Sequence, residues 1–181
     1  MIFFKNYFDD MSKSISSGNE LNLKKMAEFI EESSSKGNRV WIAGNGGSAG
    51  IAGHVAVDFT KAAGVPCTTF HDPSLITCFA NDYGYENWLK ECVRKYISKD
   101  DIIILISSSG SSANIVNAAK LANEIGCSIY TFTGFKSKNA LSSQSKTNFH
   151  LASSNYNLIE MSHHIWLLSV VDYIVELRKN K

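Results

Sequence analysis

Along the first 17 residues, Phe4, Tyr7, Phe8, Met11 and Ile15 recur at helical spacing while Asp9, Asp10, Lys13 and Ser14 take the other faces. The pattern predicts an amphipathic helix whose aromatic stripe packs on its own domain or on a second subunit. A second helix from about Leu21 to Ser34 turns Leu23, Met26, Ala27 and Ile30 inward, and Ser33 to Gly37 punctuates its end. From Arg39 onward the period changes. Short apolar runs at Val40–Ala43, Cys67–Phe70, Ile102–Ser107 and Ser128–Thr133 alternate with helical patterns reaching Ala63 and covering Ser74–Ala80, Ala113–Ile125 and Leu141–Ser145. Asn148–Ala152 reads as a last strand and Leu158–Arg178 as a closing helix. Strand followed by helix, repeated, predicts a doubly wound parallel sheet between helical layers, a three-layer α/β fold of the flavodoxin-like kind. The whole of 1–181 reads as one domain, with two N-terminal helices over 1–36 contributing to oligomer packing.

Composition narrows the partners. The chain has 181 residues, 18 Lys+Arg against 17 Asp+Glu, and 44% hydrophobic residues, enough apolar material for one packed core. A charge of +1 with 19% charged residues argues against a nucleic-acid partner. Cys67, Cys78, Cys92 and Cys127 form no CxxC pair and read as free core thiols, and MIFFKNYFDD lacks the features of a signal peptide. The most apolar stretch, in the closing helix, is interrupted by Ser169 and Asp172, so no membrane span is expected. These features together predict a cytoplasmic protein. Trp41, Trp88 and Trp166 read as packing residues, and His71 and His150 as structural ones.

In open parallel sheets ligands bind beyond the carboxyl ends of the strands, near the topological switch point. The first strand is followed by Gly44-Asn45-Gly46-Gly47-Ser48-Ala49-Gly50 and then a helix. Glycines admit close backbone approach, and a helix N-terminus presents unpaired N–H groups to an anion. The order is neither GxGxxG nor a P-loop, and a tight turn would need the same glycines. After Ile102–Ile106 comes Ser107-Ser108-Ser109-Gly110-Ser111-Ser112-Ala113-Asn114, again before a helix. One serine suffices for a cap; five make a neutral cup of O–H and N–H donors suited to a phosphate monoester.

These loops, in this order and separation, resemble those of the sugar isomerase (SIS) domain family, and in detail its phosphoheptose isomerase branch. GNGGSA at 44–49, NDYGYE at 81–86 and ISSSGSS at 106–112 are similar to that branch's GNGGSA, NDYGYE and ISTSGNS. The resemblance implies a homotetramer with active sites shared between subunits. It also implies metal-assisted isomerisation of sedoheptulose 7-phosphate to D-glycero-D-manno-heptose 7-phosphate through an enediol, as in lipopolysaccharide heptose biosynthesis. Carried over, Asn45, Gly46, Gly47, Ser48, Ser107, Ser108, Ser109 and Ser112 would bind substrate, and Asn81 and Asp82 would hold sugar hydroxyls. As an alternative, Asn81 and Asp82 would cap the following turn.

The family also places a His and a Glu four residues apart on the helix after the glycine loop, and a Gln and a His eight apart on the last helix. These four bind zinc, and the Glu and second His move protons. Here the first pair is His54 and Asp58, on one helical face, with a carboxylate one methylene shorter. Glu160 takes the Gln position, and Leu168 stands where the second His would be. His164 shares a face with Glu160 one turn nearer. The expectation is an altered site of His54, Asp58, Glu160 and His164 for one zinc or similar divalent ion. In it Asp58 serves as base and His164 as its partner, and Asp58 and Glu160 also touch substrate. Alternatively, His163 or His164 is a satisfied polar residue at a subunit interface, a reading that for His164 stands level with the metal one. A second functional class stays open: one SIS branch binds without catalysis and associates with the replication initiator, and Leu168 points that way. A sugar-phosphate sensor is a third.

Overall fold

The computed structural model describes residues 2–180. Helices α1 (Ile2–Ser16) and α2 (Glu20–Ser35) precede β1 (Val40–Gly44), α3 (Gly47–Lys61), β2 (Cys67–Thr68), α4 (Pro73–Tyr83) and α5 (Trp88–Tyr96). Then follow β3 (Ile102–Ser107), α6 (Ala113–Ile125), β4 (Ser128–Thr133), β5 (Thr147–His150) and α7 (Tyr156–Lys179). All five strands pair in parallel, in the order β2-β1-β3-β4-β5. This is the flavodoxin-like order, with its switch point between β1 and β3.

The sheet separates two cores because strand side chains alternate. Val40, Ile42, Ile102, Ile104 and Ile106 face Met26, Ile30, Phe59, Leu167 and Ile174 from α2, α3 and α7. Trp41, Ala43, Ile103 and Leu105 face Phe70, Trp88, Leu89, Cys92 and Ile115 on the other side. β3 is buried at every position, as a central strand covered on both faces must be. At the N-terminal edge of the sheet, Asp101 accepts hydrogen bonds from the Arg39 and Ser98 N–H groups and from Trp41 Nε1 at 2.9, 2.9 and 3.1 Å.

Several elements differ from their sequence reading. α5 is absent from the pattern above, although Leu89, Cys92 and Val93 share its buried face; nine residues leave little room for a period to show. Over Leu141–Ser145 there is only a 3₁₀ turn at Ser142–Gln144, because Asn139 and Ser142 satisfy each other's backbone and side chain locally. The edge strand at Cys67 is two residues long. Cys78 is exposed rather than in the core, whereas Cys92 and Cys127 are buried and burial pushes both thiols up to about 12. α7, despite Ser169 and Asp172, is long and apolar enough by length and composition to cross a bilayer. Here its stripe of Ile159, Trp166, Leu167, Val170, Val171 and Ile174 packs into the core.

The aromatic stripe of α1 is divided. Tyr7, Met11 and Ile15 are half-buried, and Trp166 Nε1 on α7 donates to the Ile15 carbonyl at 2.8 Å. Phe3, Phe4 and Phe8 are exposed.

Candidate active site

The switch point brings the two loops together. Gly44 of β1 pairs with Ile106 of β3, so Gly44–Gly50 and Ser107–Asn114 leave the sheet side by side. Asn45 Nδ2 donates to Asn114 Oδ1 and Asn114 Nδ2 donates to Asn45 Oδ1, both at 2.9 Å. His71 Nε2 donates to the Gly44 carbonyl at 3.0 Å, a partner the sequence could not name.

Side chains cap three helix starts, Asn19 on α2, Asp72 on α4 and Asn155 on α7, whereas α5 begins at Asn87 without a side-chain cap. The starts of α3 and α6 have none either. Gly46, with φ of 55°, precedes α3 and has no side chain to cap it. Ser112 precedes α6 without capping it, because its hydroxyl pairs with Ser107 Oγ at 3.2 Å. No cap side chain takes the first-turn N–H groups of either helix, and the positive dipole ends add to them; that of α6 stays open to a ligand, while the Glu160 carboxylate stands at that of α3. Ser109 Oγ accepts from the N–H of Ser111, and Ser108 Oγ is buried without a partner among the described residues. Neither loop holds a Lys or Arg.

Beside the loops stands a chain of titratable groups. One helical turn on α3 sets His54 Nε2 3.3 Å from Asp58 Oδ2. The other ring nitrogen of His54, Nδ1, lies 2.9 Å from His164 Nε2 on α7, with the two rings edge to face. One of these facing nitrogens carries the shared proton and the other accepts it. Burial holds the His164 pKa below the usual histidine range, the His54 ring lowers it further, and Asp58 opposes both. Glu160, one turn before His164, lies against Gly47, where a Cβ would meet its carboxylate and push it aside. Burial raises the Glu160 pKa.

Residues 3–134 match the SIS domain family. The chain belongs to the SIS domain family. It is similar to a phosphoheptose isomerase of Aliarcobacter butzleri, 38% identical over 120 residues, which are 62% of this chain and 62% of the relative. The chain therefore spans less than two thirds of that relative's length. Two solved phosphoheptose isomerases share its fold. The one from Neisseria gonorrhoeae matches with a TM-score of 0.85 and 23% identity, over 96% of this chain and 95% of that one. The one from Francisella tularensis matches with a TM-score of 0.86 and 23% identity, over 96% of each chain.

On this SIS domain the expected four-residue metal set does not assemble. Among the described residues no three His, Cys, Asp or Glu side chains are arranged to hold one ion. The physical reason is helix geometry. Glu160 meets α3 at Gly47 and His164 meets it at His54, two full turns further on, so the two α7 groups reach different parts of the site. Asp58, His54 and His164 then lie in line rather than around a point, with both His54 nitrogens facing protein atoms. As placed, these residues do not fit a divalent ion. Leu168 is partly buried against the core.

Asn81 and Asp82, expected to hold sugar hydroxyls, are exposed on the last turn of α4, where Asn81 Nδ2 donates to Asp82 Oδ1 at 2.9 Å. The segment reaches the loops through later residues. The Tyr85 hydroxyl donates to Asn45 Oδ1 at 3.5 Å, and the Glu86 carbonyl accepts from Asn117 Nδ2 at 3.0 Å. Sequence reasoning misses the roles of Asn114 and Tyr85, and it reads His163 as a satisfied polar residue at a subunit interface. His163 is fully buried on α7, and its Nε2 donates to the Thr133 carbonyl at 3.1 Å. Gly134 next to it donates to the Ser108 carbonyl at 2.7 Å, so the histidine holds the sheet end that supports the serine loop.

Proposed function

We propose that this SIS domain isomerises a sugar phosphate, sedoheptulose 7-phosphate to D-glycero-D-manno-heptose 7-phosphate, through an enediol. The observation that carries the reading is the chain Asp58, His54, His164 standing beside two uncapped helix N-termini. Similarity to phosphoheptose isomerases supports the choice of substrate.

The phosphate is assigned to the serine loop. The carboxylate of Glu160 already occupies the start of α3 and would repel a second anion there. Backbone N–H groups and the hydroxyls of Ser107, Ser108, Ser109 and Ser112 hold the ester without a cation, and Asn45, Gly46, Gly47 and Ser48 line the sugar end. A base takes the proton from C1 of the ketose while an acid delivers one to O2, giving the enediol. Loss of the O1 proton and return of a proton to C2 complete the aldose, so no external oxidant or reductant enters. Asp58 and His164 are the base and acid, and His54 between them relays charge by shifting its own proton. No step is assigned to a metal ion.

The exposed Phe3, Phe4 and Phe8 of α1 support assembly of several copies, in keeping with the tetramer that the resemblance implies. Leu168 favours a second reading, a binding protein without turnover. Incubation with sedoheptulose 7-phosphate separates the two: aldose formation supports the isomerase, and tight binding without turnover supports the binding protein.

A further inference from the structure

Strand register sets the separation of β1 and β3, but the glycine loop and the serine loop both leave the sheet before their helices begin. Among the described residues, the side-chain hydrogen bonds that join them directly run between the amides of Asn45 and Asn114, each donating to the other at 2.9 Å. Two antiparallel bonds between planar amides fix both distance and tilt, as a single bond would not. Asn114 is 2% exposed and lies in the first turn of α6, so it cannot follow the ligand. The Tyr85 hydroxyl stands 3.5 Å from Asn45 Oδ1, a longer approach than the 2.9 Å bond from Asn114. The Asn45 amide is thus committed to Asn114 through both its nitrogen and its oxygen.

We infer that Asn45 and Asn114 act as one unit, a clamp that sets the gap between the serine loop and the glycine loop, with Asn114 a positioning residue for the bound phosphate ester. The inference rests on the sugar-phosphate reading above for its ligand, and departs from a role for the Asn45 side chain as an independent substrate contact.

The test is a double-mutant cycle read by calorimetric binding of inorganic phosphate and of sedoheptulose 7-phosphate to the full chain. If the clamp is the unit, N45A and N114A each weaken phosphate binding about tenfold, and the double variant also weakens it about tenfold, a coupling of about 1.4 kcal/mol. A roughly hundredfold loss in the double variant, or full affinity in N114A, overturns the clamp. A merely structural role for Asn114 would lower the thermal midpoint without that coupling. Should N114A fail to fold, N114S, too short to reach Asn45, takes its place in the cycle. Phosphate affinity is read without turnover, so a wild type that binds phosphate but does not isomerise refutes the isomerase and leaves the clamp standing. A wild type that binds neither ligand overturns both.

Discussion

His163 makes the fold sensitive to acid by an amount that can be worked out. Its ring is fully buried between Phe132 and Trp166, with centroids 5.6 and 5.8 Å away. The Thr133 carbonyl can only accept, so Nε2 carries the proton, while Nδ1 has no partner among the described residues. Protonating Nδ1 would place an unsolvated charge in the core. Burial accordingly holds the pKa at about 4 against an ordinary 6.5; the Thr133 bond opposes the shift, and charge on His150 adds to it. The folded pKa is depressed, so the stability from neutral His163 is fully present above the unfolded value of 6.5 and is lost as pH falls through 4. The gap is worth about 3 kcal/mol. Urea denaturation of the wild type and of His163→Gln between pH 7 and pH 4 measures it. Glutamine keeps an N–H donor for Thr133 and does not titrate, so the variant starts about 1–2 kcal/mol less stable at pH 7 and loses about 3 kcal/mol less on acidification. Equal losses in the two proteins would refute the assignment.

Two further outcomes follow from the site. Asp58→Asn keeps the shape of the group next to His54 but removes the base, and His164→Ala removes its partner. Each is expected to lower kcat on sedoheptulose 7-phosphate about 100-fold or more, with circular dichroism unchanged. Because Asp58, His54 and His164 lie in line, turnover is expected to survive prolonged chelation with EDTA. Loss of activity that zinc restores would show that the side chains rearrange around an ion.

Much of this was legible in the sequence because it depends on local pattern. The Ile102–Ile106 run could only be a central strand, and the loops after β1 and β3 declared themselves by glycine and serine clusters ahead of helices. His54 and Asp58 share a face by helical spacing alone. What the sequence withheld depends on tertiary placement. Asn114 becomes a partner of Asn45 only because the strand order sets β3 beside β1. Whether Glu160 and His164 converge on one point or part company depends on how α7 crosses α3, which no spacing within α7 reveals. α5 was lost for another reason: nine residues directly after a turn-rich segment carry too few apolar positions to display a period.

If this SIS domain moves protons between adjacent carbons of a heptose phosphate, solvent hydrogen enters the product. Proton and carbon NMR of the chain with sedoheptulose 7-phosphate in deuterated water reads that exchange. The expected product is a heptose 7-phosphate aldose carrying solvent deuterium at C2, absent with Asp58→Asn. Saturable binding of the ketose phosphate, with neither aldose nor deuterium incorporation at C1 or C2, would contradict the isomerisation.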